Sequence, residues 1–173
     1  LQDSKNVSSY LGKDPNSAVF VKQRVMKKSN TSKRAETTFN PLLFRNKRTF
    51  CLVRTKTGRK HQIRAHAQWI GHELVGEKLY GPDEKYYLQF CKDGWSEKWL
   101  GELGMKRQGL HGRSLGFERD ERKFFADLPE DMREYLKENL KISDLELNEL
   151  IKQADEMEES KGLEELGCAE GGE

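Results

Sequence analysis

Apolar and polar positions divide this chain into short strands at the front and helices towards the back. Residues 1–17 are mostly polar and read as loop, with turn chemistry at Asp14-Pro15-Asn16. Ala18–Val25 is rich in Val and Phe and predicts a strand. Met26–Arg34 is a basic loop or hairpin end, and Ala35–Phe39 predicts another strand. Arg48–Thr57 has the clearest strand pattern, with Phe50 and Leu52 alternating with their neighbours. The period changes within Thr57–His72, where Ile63, Ala67 and Ile70 recur at i, i+4 and i+7. That segment predicts a strand end running through Gly58 into a helix with one apolar face. Lys60, Arg64 and Gln68 lie on another face, and Gly71 closes the helix.

Beyond it, Glu73–Glu84 reads as a loop with two glycines and a proline, followed by two short helices within residues 85–103. Arg107–Glu118 predicts a strand flanked by glycines. Leu128-Pro129-Glu130-Asp131 is a helix start, with proline in the first turn and acids behind it. Ser143–Met157 predicts a second helix, with Ser143 as cap and Glu146 completing a capping box. Residues 162–173 read as a frayed acidic end.

Composition qualifies this picture. The 173 residues are 35% hydrophobic and 35% charged, against about 45–50% and about 25% in average domains. The 8 Phe, 5 Tyr and 3 Trp argue against a disordered chain. No apolar run approaches the ~18 residues that cross a bilayer, so no membrane is expected as partner. Cys51, Cys91 and Cys168 form no CxxC pair, which suggests a reduced compartment, cytoplasmic or organellar. His61 and His66 would lie about 140° apart on a helix, a spacing unsuited to zinc, and no metal is expected. The chain starts at Leu1 rather than Met, which suggests processing or a longer parent.

The net charge of +2 conceals a split. Residues 1–72 carry 16 Lys and Arg against 3 Asp and Glu, and residues 126–173 carry 5 against 16. A polyanion-binding front and an acidic tail are the expectation, with the tail able to cover the basic face. The strand–Gly–basic helix unit fits the front. Arg59, Lys60, His61 and Arg64 in the first turns would combine cations with backbone N–H groups, a phosphate- or carboxylate-binding arrangement. Arg54 and Lys56 on the preceding strand add charge nearby. His61, His66 and His111 are read as packing or hydrogen-bonding residues. Trp69 and Tyr80 are read as core.

TGRKHQIRAHAQWIGHELVGEKLYG (Thr57–Gly81) closely resembles the TGR-x-HQIR-x-H…IGH-x-x-x-GD-x-x-YG block of RluA-type RNA pseudouridine synthases. LGKDP at Leu11–Pro15, AETTF at Ala35–Phe39, RQGLHGRSLGF and LPEDMREYL resemble the flanking family segments, so the likeness spans about Leu11 to Leu140. It implies an α+β fold with a mixed, mostly antiparallel sheet and flanking helices. Residues 1–140 would be the C-terminal half of the catalytic domain and 141–173 an acidic helical extension.

The family isomerises uridine to pseudouridine in RNA, ribosomal RNA above all, with no cofactor. The resemblance makes Arg64 the partner of the catalytic Asp. Ile63 becomes part of the uridine pocket, with Arg54, Arg59, Lys60 and Gln62 as RNA or pocket contacts. The family's HRLD motif, which carries that Asp, is absent from this sequence, as is its KxY segment, and Glu77 stands where the family has Asp. The chain alone is therefore expected to be inactive and to need the N-terminal half of the domain as partner. The alternatives are a non-catalytic RNA-binding pseudoenzyme and an assembly module.

Overall fold

The computed structural model describes residues 1–117 and 120–167. Four strands form one sheet: β1 (Lys5–Lys13), β2 (Gln23–Met26), β3 (Lys33–Arg45) and β4 (Arg48–Thr55), in the order β2-β1-β3-β4. All three pairings are antiparallel, so the mixed sheet expected from the sequence is uniform here. Helix α1 (Gln62–Trp69) follows the sheet, then α2 (Lys85–Asp93), a 3₁₀ turn at Glu97–Trp99 and the single-turn α3 (Leu100–Leu103). A small hairpin, β5 (Ser114–Phe117) and β6 (Asp120–Phe125), precedes the long helices α4 (Glu130–Leu140) and α5 (Asp144–Gly167).

The β3–β4 connection is a two-residue turn in which Asn46 and Lys47 both take positive φ, 52° and 60°. Such turns match the twist of the strands they join. Pro41 lies in β3 beyond Phe39, the residue paired with Lys5 at the start of β1. One side of β3 is open there, and a bulge between Pro41 and Leu43 follows.

The sheet separates two apolar layers. On one face, Val7, Phe39 and Ala67 are buried with Ile63, Ile70 and Val53 against them, so the apolar stripe of α1 lies on the sheet as its period requires. Leu11, Ala35, Ala65, Leu79 and Tyr80 continue this layer. On the other face, Leu136, Leu140, Ile142 and Leu147 pack with Leu43 and Phe50.

That second layer draws residues from both sides of position 140/141. Ile142 and Leu147 share one core with Leu136 and Leu140, so the acidic segment is built into the fold through α5. Glu146 N–H donates to the Ser143 hydroxyl at 3.1 Å, the expected cap. The Glu146 carboxylate does not close a capping box but accepts from Arg45 Nη2 at 2.8 Å. Arg113 is held likewise by Asp155. The acidic helix thus meets Arg45 of the basic front. The frayed end expected at the C-terminus lies outside the described residues from position 168 onward, as does Glu118.

Three local expectations change. Residues 5–13, read as loop, form an inner strand of the sheet. Ala18–Lys22, read as strand, is a turn held by Glu84, which accepts from Ser17 Oγ, Ala18 N–H and Lys22 Nζ. Trp69, read as core, is 63% exposed.

Candidate functional site

The site is built around the loop that enters α1. Gln62 is 4% exposed and acts as a staple. Its Oε1 accepts from Thr57 Oγ1 at 2.7 Å and from Arg59 N–H at 3.0 Å. Its Nε2 donates to the Glu36 carbonyl at 2.8 Å and to Thr37 Oγ1 at 2.9 Å. These four bonds fix residues 57–61 against β3. The helix begins at Gln62, so Arg59 and Lys60 precede it instead of lying in its first turn. Arg59 Nε donates to the Arg34 carbonyl at 2.9 Å, and Lys60 is exposed. Gly58 has open space where a Cβ would sit.

At the helix end, Gly71 takes φ 74°. Its N–H bonds the Gln68 carbonyl and that of His72 bonds Ala67, an αL cap of the expected kind.

Arg64 leaves α1 towards a second segment, Leu74–Gly81. Its Nε and Nη2 donate to Glu77 Oε2 and Oε1 at 2.7 and 2.6 Å. Glu77 Oε1 also accepts the N–H groups of Leu79 and Tyr80, at 2.9 and 3.2 Å. The Arg64 and Glu77 side chains are 14% and 1% exposed. Burial alone would push the Glu77 carboxyl up. The hydrogen bonds and charge of Arg64, with the two amides, overcome it and hold the carboxyl below its ordinary range. Burial likewise opposes the Arg64 cation, and Glu77 more than compensates.

Two glycines let this segment seat so closely. Gly76 has φ 73°, and a Cβ there would fall 1.8 Å from the Arg107 carbonyl oxygen; at Gly81 it would fall 2.2 Å from that of Glu77. Only glycine fits such contacts.

The Arg64 guanidinium also lies 5.0 Å from the centre of the Tyr80 ring. Tyr80 is 1% exposed, and burial raises its hydroxyl to about 12. That hydroxyl accepts Gln23 N–H at 2.8 Å and meets His61 Nδ1 at 3.0 Å. His61 is held in a left-handed conformation, φ 53°. Burial, then the charges of Arg64 and Lys60, keep its imidazole below the usual range. His66 is fully buried between Ser9 and Thr37, a packing role as read from the sequence.

Structure thus gathers Arg64, Glu77, Tyr80 and His61. Ile63 faces the sheet core next to them. Arg54 is not brought there: Val53 packs with Ile63, so Arg54 points to the opposite face, where its Nη2 donates to the Met157 carbonyl of α5. Glu77 is the residue that sequence reasoning undervalued. It stood out as an Asp-to-Glu departure, yet its 13-residue separation from Arg64 fits no helical spacing. The available signal was an acid bracketed by two glycines.

Chemically, the centre is a rigid, charge-compensated guanidinium near the surface. Glu77 is sealed and fully engaged, so it is no nucleophile. Among the described residues, no group of three or more His, Cys, Asp or Glu is placed to hold a metal ion, and no helix is long and apolar enough to cross a membrane.

Residues 2–69 match the family model described as RNA pseudouridylate synthase. This segment, which carries the HQIR stretch, is thus similar to RNA pseudouridine synthases. The chain is 42% identical over 84 residues to an uncharacterized RNA pseudouridine synthase of Chlorobaculum parvum, covering 46% of this chain and 25% of that one. It is 36% identical over 84 residues to the ribosomal large subunit pseudouridine synthase D of Zymomonas mobilis, covering 46% and 24%. The chain spans about a quarter of the length of these relatives.

Among solved structures it is similar to human RNA pseudouridylate synthase domain containing 1, with TM-score 0.53, 18% identity and coverage of 73% and 49%. Human RNA pseudouridylate synthase domain containing 4 gives TM-score 0.52 and 20% identity, with coverage of 82% and 57%. The α+β fold with an antiparallel sheet and flanking helices is therefore that of pseudouridine synthases.

Proposed function

We propose that this chain supplies the arginine side of a pseudouridine synthase centre acting on RNA, ribosomal RNA first, with the catalytic Asp coming from the N-terminal half of the domain. The observation that carries this reading is the Arg64–Glu77 pair: a half-buried, doubly hydrogen-bonded guanidinium on the HQIR helix, with Arg64 inside the matched family segment and Glu77 buried beyond it.

In the isomerisation, the N1–C1′ bond of uridine breaks, a C5–C1′ bond forms, the C5 proton leaves and N1 takes up a proton. A carboxylate does the covalent or general-base work. Arg64 is the positioning residue for that carboxylate. Nε and Nη2 are held by Glu77, and Nη1 makes no hydrogen bond to a described residue. A second carboxylate at that edge would be kept ionised and aimed. Glu77 fixes the guanidinium plane so that no reorganisation accompanies substrate binding. The Gln62 staple sets the loop carrying Arg59 and Lys60, the exposed cations available to phosphates. No cofactor enters this scheme, and the setting is cytoplasmic or organellar.

The test is tritium release from RNA labelled at uridine C5. The chain alone should release none. Joined to an upstream segment that carries the family's HRLD motif, it should release tritium and form pseudouridine. No release from the joined protein, with RNA binding intact, would favour the non-catalytic RNA-binding reading.

A further inference from the structure

A second feature lies one strand away from Arg64, where β1 ends and β2 begins. Lys13, Asp14, Phe20, Arg24, Met26 and Thr31 line an open hollow of about 510 Å³. That volume falls in the ~300–1,000 Å³ range of small-ligand sites. Phe20 is 76% exposed, an unusual position for a large aromatic. Lys13 Nζ sits over one face of its ring, 3.8 Å from the centroid. Asp14, the acid in the lining, meets Arg24 Nη1 only at 3.7 Å, and Arg24 Nε makes no hydrogen bond to a described residue. Exposed Lys27, Lys28 and Lys33 follow Met26 in the β2–β3 connection and the start of β3. Gln23, next to Arg24, donates its N–H to the Tyr80 hydroxyl, which ties the hollow to the Arg64 centre.

We infer that this hollow is a nucleotide subsite that holds a single-stranded RNA residue flanking the target uridine; the inference rests on the RNA reading above. The base stacks on the open face of Phe20, and its phosphate meets Lys13 and Arg24. A lone exposed ring needs an unstacked base, which selects single-stranded RNA over duplex. The cations select a polyanion, and the ring selects one that carries bases.

The test is fluorescence anisotropy of the full chain with a labelled single-stranded RNA 12-mer, the matching duplex, and heparin as competitor. Phe20→Ala should weaken single-strand binding about 5- to 160-fold, the range for loss of one stacked base. It should leave duplex and heparin binding unchanged. Phe20→Trp should restore binding. Lys13→Gln should lower the slope of log affinity against log salt by about 0.7, one single-strand phosphate contact. The inference is overturned if Phe20→Ala binds single strands like the wild type, if it loses heparin equally, or if the wild-type chain fails to bind the single strand. Tritium release by the joined protein separates the two readings. Turnover with Phe20 neutral removes only the subsite, and Phe20-dependent binding without turnover removes only the proposed function.

Discussion

Replacing Glu77 by Gln removes the charge opposite Arg64 while keeping the side chain's shape. Glu77 is 1% exposed and Arg64 14%, so solvent only partly replaces the lost partner. Breaking a buried pair by removing one member costs about 3–5 kcal/mol. The Gln oxygen can still accept the Leu79 and Tyr80 amides, which places Glu77→Gln near the lower end, about 3 kcal/mol. With a urea dependence of about 2 kcal/mol/M, the unfolding midpoint should fall by about 1.5 M. Tryptophan fluorescence and circular dichroism would read it.

Arg64→Met added to Glu77→Gln should recover part of the loss, since the double variant leaves no orphaned charge. The pH dependence supplies a second reading. The Glu77 carboxyl is held below its ordinary value of 4.5, so its contribution is present above that pH and is lost as pH falls through the lowered native value. Glu77→Gln should lack that acid step. A Glu77→Gln midpoint within about 0.5 kcal/mol of wild type, with no coupling to Arg64, would refute the reasoning.

Gly76→Ala should destabilise by more than about 2 kcal/mol, because φ is 73° and a Cβ would strike the Arg107 carbonyl. Gly58→Ala, with open space, should stay within about 0.5 kcal/mol, and equal effects would refute the packing argument. Ser143→Ala should cost about 1 kcal/mol through the lost α5 cap, read as a urea midpoint; no change would show that the cap contributes nothing. Burial holds His66 below its ordinary value of 6.5, so its contribution is intact above pH 6.5 and declines as pH falls through the native value. Wild type should be less stable at pH 5.5 than at 7.5, and His66→Gln should shrink that difference; an unchanged difference would remove His66 as its source.

The legible parts of the fold were those whose partners lie close in sequence. The β4 alternation, the α1 stripe and the Ser143 cap all depend on neighbours within a few residues. Strand β1 was hidden because its inward positions are Val7, Ser9 and Leu11. Ser9 faces the His66 imidazole rather than an apolar neighbour, so a polar residue sits where alternation requires an apolar one. Ala18–Lys22 looked like strand because it is rich in Val and Phe, yet Glu84, far along the chain, holds it in a turn. The same holds for the site. Arg64 was singled out through its local motif, whereas its bond to Glu77 and the placement of Arg54 on the α5 face depend on tertiary packing.

The most direct measurement is single-turnover tritium release by the chain joined to an HRLD-bearing segment, comparing wild type with Arg64→Lys. Lysine keeps a cation for Glu77 but loses the planar, multi-donor edge that holds the second carboxylate. The urea midpoint confirms that the variant is folded. A loss of about 100-fold or more in rate at near-native stability is expected; near-normal turnover by Arg64→Lys would contradict the role assigned to Arg64.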